Sequence, residues 1–206
     1  MDSSAWDERY AASELVWSAG PNQFVEQALR DLAPGDAVDV AAGEGRNALW
    51  LAERGWRVTA VDFSARGLAK GQQAERSRPA THLVDWVHAD VLTLPGLAEP
   101  AFDLALIAYL QVPADERRTA VRRAFGALRP GGTLFLVAHD ITNLVEGTGG
   151  PQDPRVLMTV EDVLGDLAGE EYAVVRAERV AREVEPEHGG EPGLTAWDCL
   201  VHLTRR

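Results

Sequence analysis

Cysteine is nearly missing from this 206-residue chain, where Cys199 stands alone. No disulfide can form within it, so the fold rests on its core, which this length is ample to build. Histidine is sparse as well, at positions 82, 88, 139, 188 and 202, and nothing pairs these at metal-ligand spacing. No metal is expected. Long apolar runs are absent: the longest lies around residues 104–110, against the roughly 20 that cross a bilayer, so no membrane association is expected. Positive charge is in deficit, with 20 Lys and Arg against 32 Asp and Glu, a net charge of -12. Such a balance repels a phosphate backbone. Arg117, Arg118, Arg122 and Arg123 share a helical stretch with Asp115 and Glu116, so nucleic acid is not expected as a partner. The acidic start Met-Asp-Ser-Ser-Ala-Trp-Asp-Glu lacks the basic-then-apolar layout of a secretion signal. With the lone cysteine, this predicts a cytoplasmic location.

What is present is a regular alternation. Residues 22–33 carry Phe24, Val25, Ala28, Leu29 and Leu32 on one helical face, between Pro21 and Pro34-Gly35. Strand 37–41, helix 46–54, strand 57–61 and helix 64–76 follow, with Ser64 as the cap of the last. A third strand lies near 83–88. Residues 102–108 form a continuous apolar run of the kind covered on both faces in a parallel sheet. Pro113, at a first helical position with Asp115 and Glu116 behind it, opens a helix that 129–132 ends, and strand 133–138 follows. Residues 143–155 read as a long loop, 159–167 as a short helix, and 172–184 and 194–204 as a closing hairpin around the polar turn 187–191. The pattern predicts one α/β domain over 1–206. Within it, 21–206 is the core and 1–20 an arm whose Trp6, Tyr10 and Trp17 either fold over a ligand as a lid or pack on the sheet edge.

The most informative stretch is Val38-Asp39-Val40-Ala41-Ala42-Gly43-Glu44-Gly45-Arg46-Asn47, followed by Val58-Thr59-Ala60-Val61-Asp62. Glycines at 43 and 45 admit backbone conformations closed to other residues and let a ligand lie against the main chain, where the N-H groups of the opening helix favour polar or anionic groups. The carboxylate ending the next strand, 17 positions after Gly45, can accept two hydrogen bonds from a ribose diol. Together these features predict an adenosine-type cofactor. Arg46 and Asn47 read as a helix-surface charge and a local backbone bond.

Four elements, Val38 to Gly45, Val61-Asp62, His88-Ala89-Asp90-Val91 and Leu128-Arg129-Pro130-Gly131-Gly132-Thr133-Leu134, fall in an order and spacing that resembles the class I S-adenosylmethionine-dependent methyltransferases. The resemblance runs from about residue 22 to the C-terminus. Gly-Glu-Gly-Arg-Asn-Ala-Leu-Trp-Leu-Ala with Gly-Trp-Arg-Val further resembles the bacterial small-molecule branch, including tellurite-resistance and thiopurine-type enzymes. The resemblance implies a Rossmann-like, doubly wound, seven-stranded sheet, mostly parallel with a C-terminal antiparallel hairpin strand, and S-adenosylmethionine as cofactor. It implies that Gly43 and Gly45 approach the methionine part, with Asp39 supporting their turn. Asp62 would take the ribose hydroxyls, Phe63 would lie beside the adenine, Asp90 and Val91 would bond it, and Ala108 would line the methionine moiety. Ala41 and Ala42 depart from the cysteine or glycine common in relatives, and only a tighter turn is expected from them. Asp90 as a plain turn residue and Phe63 as core stand as alternatives.

Methyl transfer from a sulfonium is an in-line displacement governed by positioning, and a base is needed only where the acceptor carries a proton. His139, Asp140 and Tyr109, just beyond the fourth and fifth strands, are the acceptor-side candidates, His139 as base. The alternative for His139-Asp140 is that they cap the loop that follows. The expected partner is a small-molecule methyl acceptor, and a homodimer is compatible with the chain. A cofactor-binding protein that never consumes its ligand and a nicotinamide-dependent oxidoreductase are the competing functions. The second leaves Asp90 and Pro130-Gly131-Gly132 without a role.

Overall fold

The computed structural model describes residues 3–12, 20–80, 82–97, 99–184 and 194–206, with side chains from residue 6. Trp17 of the arm, and the turn 187–191 with His188, lie outside the described residues. Helix α1 (Ser3–Ala11) and α2 (Gln23–Leu29) precede an alternation of β1 (Asp36–Val40), α3 (Arg46–Glu53), β2 (Arg57–Asp62), α4 (Ala65–Glu75) and β3 (Asp85–His88). Then come β4 (Phe102–Ala108), α5 (Ala114–Gly126), β5 (Leu128–His139), α6 (Val160–Asp166), β6 (Tyr172–Glu183) and β7 (Thr195–Arg205). Among the described residues they form a seven-stranded sheet in the order β3-β2-β1-β4-β5-β7-β6. Strands β1 to β5 pair in parallel, and β7 runs antiparallel between β5 and β6. The closing hairpin is therefore as expected. No helix among the described residues is long and apolar enough to cross a membrane.

Period-2 side-chain alternation sends the central strands into two cores. Val38, Val40, Ile107, Leu134 and Leu136 meet α5 and α6 through Phe125 and Val163 on one face. Ala37, Leu104, Leu106, Phe135 and Val137 meet α2 and α3 through Leu29 and Leu51 on the other. Burial on both faces explains why β4 reads as one apolar run.

Local signals place the ends. Asn22 caps α2 by accepting from the Phe24 and Val25 N-H groups, and Ser64 caps α4 through Gly67 as expected. Thr159 and Asp162 close a capping box on α6. Two expectations shift. Pro113 is the cap of α5 and not its first helical residue, since its ψ of 156° is extended. Residues 129–132 do not end that helix, which stops at Gly126. They bulge from β5 instead: Phe102 pairs with Leu128 but Leu104 with Thr133, a detour that Gly131 permits with φ 84°. The 143–155 loop begins in the end of one 3-10 turn, Ile141–Leu144, and runs into another, Pro154–Val156. Asn143 sews it to β7 by bonding both the N-H and the carbonyl of Trp197.

Candidate functional site

The strand order reverses between β1 and β4, and their carboxyl ends open there into a cavity of about 630 Å³. Two residues with side chains adopt φ of 60° among the described residues, Ala41 after β1 and Tyr109 after β4. Both line the cavity. For such residues the left-handed conformation costs on the order of 1–2 kcal/mol, a strain concentrated at this rim. Ala41 takes a left-handed conformation in the turn where the sequence departs from its relatives.

Gly43, with φ 58°, brings its N-H to within 2.8 Å of Asp62 Oδ2, while the Ser64 N-H donates to Asp62 Oδ1 at 2.8 Å. One carboxylate thereby ties the turn after β1 to the turn after β2. Burial raises the Asp62 pKa and the two N-H groups oppose it. Each oxygen keeps a lone pair for a diol. Asp39, on β1, accepts the backbone N-H of Ala48 and so caps α3, whose own cap residue Gly45 has no side chain to offer. Its Oδ2 is buried without a hydrogen-bond partner among the described residues. Burial, reinforced by Asp62, pushes the Asp39 carboxyl up to about 7.

Asp39, Gly43, Asp62, Phe63, Asp90, Val91 and Ala108, read from the sequence as one group, all line this cavity. Asp90 also holds its own turn, accepting the Leu92 N-H at 2.8 Å, so the turn role and a cavity-facing position coexist. Gly45 is different. It stands behind the cavity wall, and a Cβ there would come 2.3 Å from the Trp86 ring, as one at Gly71 would. Gly45 lets α3 and α4 close on Trp86.

Arg46 and Asn47 are not the surface charge and local bond expected of them. Both line the cavity, and Asn47 Oδ1 accepts the N-H of Asn22 at 2.9 Å. Burial lowers the Arg46 pKa, and Tyr109 and Asp39 partly offset it. From α1, Trp6 and Tyr10 reach the cavity, their rings 5.6 Å apart. The helix is tethered by Asp7, which accepts from Ser64 Oγ at 2.5 Å and from the Arg66 N-H at 3.2 Å. The Ser64 bond holds the Asp7 carboxyl below its ordinary value.

The candidates beyond β4 and β5 separate. Tyr109 lines the cavity, its ring 4.8 Å from that of His139. His139 is one layer back, with Gly150 so close to its ring that a Cβ would sit 2.8 Å away. Asp140 is buried and takes both the N-H and the hydroxyl of Thr142, the loop-capping arrangement. The structure adds three residues that sequence reasoning missed. Asp198, fully buried on β7, accepts the Tyr109 hydroxyl at 2.8 Å and Arg182 Nε at 2.8 Å, and the Tyr109 oxygen in turn accepts from Asn22 Nδ2 at 3.3 Å. The available signal was a lone carboxylate inside the otherwise apolar run Ala196-Trp197-Asp198-Cys199-Leu200.

Residues 37–132 match the family described as a methyltransferase domain. A tRNA 5-carboxymethoxyuridine methyltransferase of Escherichia coli (strain K12) is 29% identical over 126 residues, 60% of this chain and 48% of that protein. A demethylmenaquinone methyltransferase of Corynebacterium urealyticum is 33% identical over 144 residues, 68% of this chain and 58% of that one. The chain thus spans about half the length of the curated relatives it matches. Among solved structures, the N-methyltransferase NodS from Bradyrhizobium japonicum WM9 in complex with S-adenosyl-l-homocysteine superposes with a TM-score of 0.71 at 19% identity, over 99% of both chains. At that identity the likeness is one of fold.

Proposed function

We propose, from the premise that residues 37–132 are a methyltransferase domain on the class I fold, that this chain transfers a methyl group from S-adenosylmethionine to a small-molecule acceptor. The observation that carries the proposal is the convergence of seven cofactor positions on one cavity that also holds a buried, unpartnered Asp39 oxygen. That oxygen suits an ammonium, and Arg46, which lines the same cavity, suits a carboxylate, so the pair fits an amino-acid end. Asp62 suits a ribose diol, and Asp90 and Val91 suit an adenine edge. When bound, S-adenosylmethionine supplies a methyl group on a cationic sulfur.

The chain's part is positioning. Tyr109 and Ala108 border the cavity where β4 ends, Leu110 and Val112 give it an apolar side, and Trp6 and Tyr10 cover it as the lid of the 1–20 arm. Excluding water there favours attack that cancels the sulfonium charge. Tyr109 faces the acceptor, His139 behind its ring is the base for an acceptor that carries a proton, and Asp140 keeps the loop after β5 in place. The net charge of -12 supports a small acceptor over a nucleic acid. The Gly-Glu-Gly-Arg-Asn segment supports the bacterial small-molecule branch.

The test is calorimetry with S-adenosylmethionine and S-adenosylhomocysteine, followed by a screen with methyl-labelled cofactor against thiols, metalloid oxyanions, phenols, amines and bulk tRNA. Heat with both ligands and label in a small acceptor is the expected result. No heat with either ligand sinks the cofactor assignment, binding without transfer favours a non-catalytic binding protein, and label in tRNA alone overturns the acceptor class.

A further inference from the structure

Three half-buried groups at the acceptor end meet at one buried carboxylate on a strand the glycine motif never touches. Asp198 Oδ2 receives the Tyr109 hydroxyl and Arg182 Nε, each at 2.8 Å. Its Oδ1 lies 3.3 Å from His139 Nδ1. That spacing is within ion-pair range but is not aligned as a hydrogen bond, and neither atom has another hydrogen-bond partner among the described residues. Two buried acceptors left facing each other would be costly, and a hydrogen on Nδ1 turns the contact favourable. The ring can then reach the carboxylate by a small rotation, while Gly150 against its face restricts larger ones.

We propose that Asp198 is the positioning residue of the acceptor end, a single carboxylate that sets both the direction of the Tyr109 hydroxyl and the tautomer of His139. This rests on the methyltransferase reading above and deepens it. With the hydrogen held on Nδ1, the Nε2 lone pair of His139 is left as its basic atom, the arrangement that suits a group receiving a proton. Tyr109, strained at φ 60°, is kept there by a hydroxyl bonded on two sides, to Asp198 and to Asn22. Arg182 supplies the opposing charge that lets Asp198 stay ionised: burial alone would raise its pKa, yet with His139 and Arg182 beside it the net shift is downward.

The experiment uses nitrogen-15 imidazole spectra of the full chain at pH 8, with His139→Gln to assign the signal. Wild type is expected to show His139 protonated on Nδ1 and bare on Nε2, and Asp198→Asn to lose that pattern. S-adenosylhomocysteine should bind Asp198→Asn within about twofold of wild type, because Asp198 is not part of the cavity wall. Its kcat with labelled cofactor, across the same acceptor panel, should fall at least tenfold at unchanged KM for the cofactor. A wild-type ring protonated on Nε2 overturns the proposal by itself, so a variant that fails to fold does not rescue it. Unchanged ring signals or wild-type turnover in Asp198→Asn overturn it too. Failure of S-adenosylhomocysteine to bind wild type sinks the cofactor assignment instead, a separate outcome from the ring spectra.

Discussion

The two ends of the cavity are built differently. The cofactor end is made of main-chain turns and neighbours in sequence: Asp62 bonds the N-H groups of Gly43 and Ser64, 19 and 2 positions away, and Asp90 bonds that of Leu92. The acceptor end is made of side chains that meet only through folding. Tyr109 bonds Asp198 and Asn22, 89 and 87 positions away. A site made of backbone geometry is written into local residue types, because glycine, a strand-ending acid and a cap each have a conformational reason to sit where they do. A site made of distant side chains leaves no such local trace.

If the difference is real, the cofactor end should break through backbone and packing changes. Gly45→Val joins a φ of 71° to a Cβ 2.3 Å from Trp86. We expect a loss of about 2–4 kcal/mol in urea unfolding together with lost S-adenosylhomocysteine binding. Wild-type stability would show that Trp86 yields easily and that Gly45 has no packing role.

Asp39 gives the next largest effect. Its folded pKa of about 7 lies above the starting value of 3.8. Between those values the unfolded chain releases a proton that the folded chain keeps, so stability falls as pH rises from about 4 to about 7 and stays low above. The slope is at most about 1.4 kcal/mol per pH unit. Asp39→Asn should flatten this part of the pH profile and gain up to about 3 kcal/mol over wild type at pH 8, read from unfolding midpoints at pH 5 to 8. Parallel profiles would contradict it. Under the proposed function wild type also binds S-adenosylhomocysteine more tightly at pH 8 than at pH 6.

At the acceptor end, Tyr109→Phe removes a hydroxyl that Asp198 accepts and should cost about 1–2 kcal/mol while leaving S-adenosylhomocysteine affinity intact. A large loss of affinity would mean that the two ends are not separable. The smallest effect is expected at the tether of α1. Asp7→Ala leaves the Ser64 cap on Gly67 in place and should weaken S-adenosylhomocysteine roughly threefold, by faster release. Unchanged release would remove α1 from its role as a cover.

Legibility followed the same division. The alternation, the Ser64 cap and the lining positions at 39, 43, 62, 63, 90, 91 and 108 could be read in advance from periodicity, capping chemistry and family resemblance. Pro113 caps α5 from one residue outside it, and 129–132 bulge from β5 instead of stopping a helix, because a turn signal marks a change of direction without saying which element absorbs it. The inward placement of Arg46 and Asn47 escapes the sequence for another reason. On a helix considered alone they look solvated, and only the docking of α2 and β4 against that helix start encloses them.

The sequence by itself determined the alternating α/β order, the glycine turn, the spaced carboxylates and the absence of any cysteine pair, since each follows from residues within a turn or a strand of one another. Tertiary structure alone decided that Gly45 serves Trp86, that Arg46 faces inward, and that Asp198 gathers Tyr109, Arg182 and His139. Strand order β1-β4-β5-β7-β6 brings those side chains together, and that order is set by how the sheet pairs and packs, not by any run of neighbouring residues.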